Sequence, residues 1–127
     1  MKLRIKDNSL RLRVSRSDLE RLLRSGRIDA TIHFAPAQEA KWTYALEHRS
    51  EAVAASLEYK TTEIIIVLPS VQTQAWAESD QVGIYETCAL GQSDILNLLV
   101  EKDFACLDFS DADNEDTFPN PAMGRAC

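Results

Sequence analysis

The stretch KLRIKDNSLRLRV, residues 2–14, alternates five cations (Lys2, Arg4, Lys6, Arg11 and Arg13) with apolar residues around a polar break. The chemistry such a set can do is to hold an anion, because guanidinium and ammonium groups form charge-assisted hydrogen bonds with carboxylate or phosphate. Arg16 follows directly, and Arg21, Arg24 and Arg27 add charge to the same end of the chain. A second kind of chemistry is suggested near the other end. In DADNED (111–116), Asp111, Asp113 and Glu115 alternate as calcium ligands do. An EF-hand loop needs glycine at its sixth position and glutamate at its twelfth, where this chain has Asp116 and Ala122. Cys106 and Cys127 flank the run, and with His33 or His48 they offer zinc donors, but no tight ligand pair is present to nucleate a site. The metal candidates are thus Cys106, Asp111, Asp113, Glu115 and Cys127. For nucleophilic catalysis there is no GxSxG, no glycine-rich phosphate loop and no HExxH. An enzyme that held an anionic substrate on Arg4, Arg11 and Arg13 would have to draw its general base from Asp or Glu.

The cations belong to an acidic chain. Formal net charge is −6, yet residues 1–30 hold nine Lys/Arg against four acids, and residues 101–127 hold seven acids against two bases. A positive head and a negative tail are hidden in the total. The chain has 127 residues, 45% of them apolar, which suits one compact domain with a sizeable core. No apolar run approaches the roughly 18 residues of a membrane span, and the first residues lack the apolar core of a secretion signal. Three cysteines without a CxxC unit fit free thiols in a reducing cytosol. The expectation is a soluble cytoplasmic protein with no membrane partner and no cofactor.

The elements that must position the cations are legible from periodicity. Leu3 and Ile5 are apolar at odd positions, and Leu10, Leu12 and Val14 at even ones, so parity switches within the opening stretch. A hairpin with its turn at Asp7-Asn8 accounts for the switch, since both residue types tolerate positive φ. That register sets Arg4 opposite Arg11 and Lys2 opposite Arg13. A helix follows, capped by Ser15 or Ser17, carrying Leu19, Leu22 and Leu23 on one face and stopped at Gly26. Alternation then predicts strands with Ile28, Ala30, Ile32 and Phe34 inward, next Trp42, Tyr44 and Leu46, then Val53, Ala55, Leu57 and Tyr59. EIIIVL (63–68) reads as a central strand covered on both faces. Pro69 and Ser70 open a second helix, with Val71, Ala75 and Trp76 inward, before two strands joined through Leu90-Gly91-Gln92. Residues 10–34 and 63–87 share a strand, helix, strand pattern. The expected fold is α+β, mostly antiparallel, with about eight strands in a barrel or sandwich, two short helices and a pseudo-two-fold repeat. Residues 1–103 would form the domain and 104–127 an acidic arm.

Three segments, KLRIKDNSLRLRV, QAWAESDQVG and LLVEKDFACL with EDTFPNP, resemble a family of small uncharacterised bacterial proteins across nearly the whole chain. Asp7 departs from the glycine expected before Asn-Ser, but it still suits a turn. The resemblance implies no activity, cofactor or site residue. On the residues themselves, the reading is a non-catalytic binding or assembly module. Lys2, Arg4, Arg11, Arg13 and Arg16 would contact an acidic protein surface, the chain's own acidic arm or a neighbouring subunit in a homo-oligomer. The alternatives are a phosphate-ligand binder or hydrolase with the same arginines at a barrel mouth, and a metal-binding tail. Nucleic acid is disfavoured, because Trp42, Trp76, Tyr59 and Tyr85 are not interleaved with the basic residues.

Overall fold

A computed structural model describes residues 1–104 and 116–119. The first half of the chain is a hairpin, a helix and a second hairpin. Strands β1 (Lys2–Lys6) and β2 (Ser9–Val14) pair antiparallel with Leu3 opposite Leu12, Ile5 opposite Leu10, Lys2 opposite Arg13 and Arg4 opposite Arg11. This is the register that the parity switch requires. Of the two turn residues only Asp7 takes a positive φ, 49°. Helix α1 (Arg16–Ser25) starts at Ser15 in a reciprocal capping box with Asp18 and ends at Gly26, whose φ of 83° relieves the last turn. Strands β3 (Arg27–His33) and β4 (Lys41–Arg49) form the second hairpin.

The second half repeats the plan. Strands β5 (Ser56–Lys60) and β6 (Glu63–Pro69) are followed by helix α2 (Ser70–Ala77), then by β7 (Gly83–Leu90) and β8 (Asp94–Lys102). Two four-stranded sheets result, ordered β1-β2-β8-β7 and β3-β4-β6-β5. Exchanging the two halves turns one order into the other, so the pseudo-two-fold is complete. Even the cross-links correspond: the His48 N–H donates to the Gly26 carbonyl, and the equivalent Lys102 N–H to that of Val82. The hairpin ladders are antiparallel, as expected, while the central pairs that join the halves, β2 with β8 and β4 with β6, are parallel. Among the described residues the sheets do not join into a closed barrel; they stack as a sandwich.

The core lies between the sheets. Leu10, Leu12, Val14, Leu98 and Val100 meet Ile28, Leu46, Ile64, Ile66 and Leu68 there. The two helices touch each other, and within each sheet the hairpin turns lie at the end away from the helix connections. Strand β6 is covered on both faces, with Ile65 and Val67 packed on Ala45 in a small outer cluster.

Four inward expectations fail. Ile32, Phe34 and Tyr59, toward the turns of their hairpins, are exposed because their alternation runs on past the buried core, and Val53 is exposed because it lies in the bend before β5 and not in a strand. Val71 and Ala75 also face water. Helix α2 instead buries Thr73 and Trp76, and the Trp76 indole N–H donates to the Val82 carbonyl at 3.1 Å. In the arm, Phe104 bridges to Phe118, whose N–H donates to the Asp103 carbonyl at 2.9 Å. Asp116 closes over the start of α1: its carbonyl accepts from Arg16 N–H and its carboxylate from Ser17 N–H.

Candidate functional site: the outer face of the β1-β2-β8-β7 sheet

Alternation puts Lys2, Arg4 and Lys6 of β1 and Ser9, Arg11 and Arg13 of β2 on the face turned away from the core. The parallel pairing with β8 brings Asn97, Leu99 and Glu101 beside them, and β7 adds Gly83, Tyr85 and Thr87. Three rows of residues cross the sheet. One runs Lys2, Arg13, Glu101, Gly83; the next Arg4, Arg11, Leu99, Tyr85; the last Lys6, Ser9, Asn97, Thr87. An open depression of about 570 Å³ lies over β7 and β8, lined by Ser9, Tyr85, Thr87 and Leu99 among others. A smaller one of about 110 Å³, lined by Arg4, Lys6, Ser9, Arg11 and Leu99, adjoins it.

Two cations on this face have partners. Arg11 Nε lies 3.0 Å from Glu101 Oε1, and Lys2 Nζ lies 2.9 Å from Asp103 Oδ2. The second oxygen of Glu101 accepts from the Tyr85 hydroxyl at 2.8 Å. Burial and that bond push the Tyr85 phenol up to about 12. Glu101 and Asp103 carry no signal in the sequence, where adjacent acids are commonplace, yet they are the anions that β8 delivers to the hairpin. Arg4, Lys6 and Arg13 have no acidic partner among the described residues. Arg16 stands apart from the sheet, exposed on the first turn of α1.

The equivalent outer face of the other sheet is compensated differently. Arg27 reaches Asp29 at 3.0 Å, Glu47 at 2.8 Å and Glu63 at 2.5 Å. Arg49 is held by Glu47 at 2.7 Å and Glu58 at 2.6 Å. Burial would raise the Glu47 carboxyl, but Arg27 and Arg49 together hold it below the usual range. Each arginine here has at least two carboxylates, and the same sheet buries Ala45, Ile65 and Val67 in the small outer cluster with Ala52 packed on it.

Residues 1–122 match DUF7009, a family of unknown function. The chain belongs to that family. No curated protein and no solved structure is similar enough to this DUF7009 chain to match.

Other reactive groups do not converge. His48 Nδ1 meets the Ser70 hydroxyl at 2.7 Å, while its Nε2 is buried without a partner among the described residues. Lys102 is buried, donates to the Ser79 carbonyl at 2.6 Å and lies over the Phe118 ring; burial lowers its pKa. Cys88 is half-buried against the core, which raises its thiol. No group of three or more His, Cys, Asp or Glu able to hold a metal occurs among the described residues. The metal candidates Cys106, Asp111, Asp113, Glu115 and Cys127 lie outside the described residues, as does the rest of the acidic run before Asp116. No helix is long and apolar enough to cross a membrane.

Proposed function

We propose that this protein is a non-catalytic binding module whose outer β1-β2-β8-β7 face docks an acidic polypeptide surface. The observation that carries the reading is the contrast between the two outer faces. One gives Arg27 and Arg49 several carboxylates each, whereas the other leaves Arg4, Lys6 and Arg13 on an open sheet without any among the described residues. Like charges directly opposite on paired strands are destabilising, so an arrangement that keeps Arg4 across from Arg11 makes sense where an external anion meets it. The face is broad and open, with Leu99 and Tyr85 at its centre. That form suits a macromolecular surface better than a small substrate, which needs an enclosed pocket. The arginines lie on the outside of a sandwich and not in a barrel mouth, so the phosphate-substrate alternative loses its enclosure. The described part of the chain's own arm supports an external partner, since Asp116 serves the start of α1 and not this face. The free thiol of Cys88 is in keeping with a reducing, cytoplasmic setting, and the resemblance of the sequence motifs to small bacterial proteins is in keeping with a bacterial one.

The test is fluorescence anisotropy of a labelled poly-glutamate peptide titrated with the full chain at several salt concentrations. Binding that weakens with salt, and that falls at least tenfold in the Arg4→Glu/Arg13→Glu variant, supports the proposal. No binding at 20 mM salt, or binding unchanged in the variant, overturns it. Stabilisation by inorganic polyphosphate in a thermal shift without any by the peptide would move the reading to a phosphate ligand.

A further inference from the structure

We infer that the acidic partner binds as an added strand on the open edge of β1, with acidic and apolar residues in alternation. This rests on the function proposed above and adds the form of the partner: an extended segment whose backbone continues the β1-β2-β8-β7 sheet. Strand β1 is outermost in that sheet. In a hairpin closed by a two-residue turn, the pair next to the turn exchanges both main-chain bonds, and every second pair repeats the pattern. Here those pairs are Lys6 with Ser9, Arg4 with Arg11 and Lys2 with Arg13. The N–H and C=O groups of Leu3 and Ile5 therefore point away from β2, and no backbone group among the described residues meets them there.

The side chains along the edge specify what the added strand must carry. Leu3 and Ile5 turn toward the core side, yet Ile5 remains 61% exposed while Leu10, directly opposite, is buried. An apolar residue placed across from Ile5 on the open side would cover it. On the outward side Lys2, Arg4 and Lys6 follow at every second position. Lys2 has Asp103, but Arg4 and Lys6 meet no acid among the described residues, and both line the depression of about 110 Å³. Acids across from these two would complete the alternation. The other edge strands offer no such run of one sign: β3 carries Arg27 and Asp29, β5 Glu58 and Lys60, and β7 no cation. Charge on an edge also deters pairing between like strands. That repulsion turns away a second β1, whereas the same groups attract an acidic strand. Other devices that block an edge are missing, since β1 has no proline, no bulge in its ladder and no inward-pointing charge.

The test compares seven-residue peptides on the full chain by fluorescence anisotropy, with poly-glutamate alongside. One is Glu-Val-Glu-Val-Glu-Val-Glu; two others carry backbone N-methyl groups, either on the valines or on the inner glutamates. In antiparallel pairing with a valine across from Ile5, the valine N–H groups face β1 and the glutamate N–H groups face solvent. The parent and the glutamate-methylated peptides are therefore expected to bind at least tenfold more tightly than the valine-methylated one. Hydrogen exchange at the Leu3 and Ile5 amides should be fast in the free chain and slow at least tenfold with the parent peptide bound. Equal binding of the three peptides, or Leu3 and Ile5 amides already protected in the free chain, overturns the inference. Poly-glutamate binding that is lost in Arg4→Glu/Arg13→Glu would then leave the cationic face standing without the added strand, whereas no binding of any peptide would sink both.

Discussion

Replacing Arg4 and Arg13 by glutamine should make the protein more stable. Arg4 stands directly across from Arg11, and Arg13 from Lys2. At about 7 Å in water, two like charges repel by about 0.6 kcal/mol. Glu101 and Asp103 already offset part of the charge on Arg11 and Lys2, so each replacement is expected to return only about 0.3 kcal/mol. Two opposing effects are smaller. The formal net charge of −6 becomes more negative by two, but most other charges lie beyond the Debye length of roughly 10 Å at 0.1 M salt. Glutamine keeps much of the aliphatic stem that arginine lays on the sheet. The double variant should therefore gain about 0.6 kcal/mol, or roughly 2 °C in Tm, in urea and thermal unfolding at 20 mM salt. At 1 M salt, where screening acts within about 3 Å, the gain should vanish. A double variant less stable than the parent at low salt, or a gain that survives 1 M salt, would refute the claim that this face is held against its own repulsion. The same variant should bind acidic peptide poorly, so stability and binding are expected to change in opposite directions.

Trp76→Ala should cost about 3–5 kcal/mol in urea unfolding, because the indole is fully buried and hydrogen-bonded to Val82, whereas Val71→Ser, at 82% exposed, should stay within about 0.5 kcal/mol; equal effects would mean that α2 is seated on its other face. Stability should also fall in acid. Asp18, which burial would raise, is held low by the Met1 ammonium and Ser15, and Glu47 by its two arginines; Arg49 lowers Glu58 outright. Groups with depressed folded pKa values contribute stability that is present above their unfolded values of 3.8 and 4.5 and is lost as pH falls through the lower folded ones. Urea midpoints should thus be level from pH 7 to about 5 and drop steadily below 4.5, and a midpoint at pH 3 equal to that at pH 7 would contradict the carboxylate pairing.

Much of this fold is written locally. The parity switch between Ile5 and Leu10 determines the first hairpin and its register, and Ser15 with Asp18 marks the start of α1. The unbroken apolar run of β6 announces a strand covered on both sides. Three features escape local reading, each for a physical reason. The pairing of β2 with β8 joins Arg11 to Leu99 across most of the chain, so the roles of Glu101, Asp103 and Tyr85 on the cationic face leave no local trace. Helix α2 has no clear apolar stripe, and packing of one large side chain, Trp76, decides which way it turns. The alternation of β3 continues through Ile32 and Phe34 although the core beneath them has ended, and a period of two records orientation without recording what lies opposite.

The pseudo-two-fold makes each half a control for the other. Where β5 and β6 place Glu58, Ile65 and Val67, the equivalent positions of β1 and β2 hold Arg4, Arg11 and Arg13. Glu101 and Glu47 are equivalent too, and both remain glutamate. The same backbone can therefore carry an outer face whose arginines are fully paired over a small apolar patch, as Arg27 and Arg49 are. Packing and ladder geometry do not force the other face to carry cations that lack an acid among the described residues, because the second half folds with the same register and without them. On the reading proposed above, the requirement for Arg4, Lys6 and Arg13 comes from a ligand that brings negative charge to the sheet, since water and salt would weaken the repulsion on this face without rewarding the arrangement.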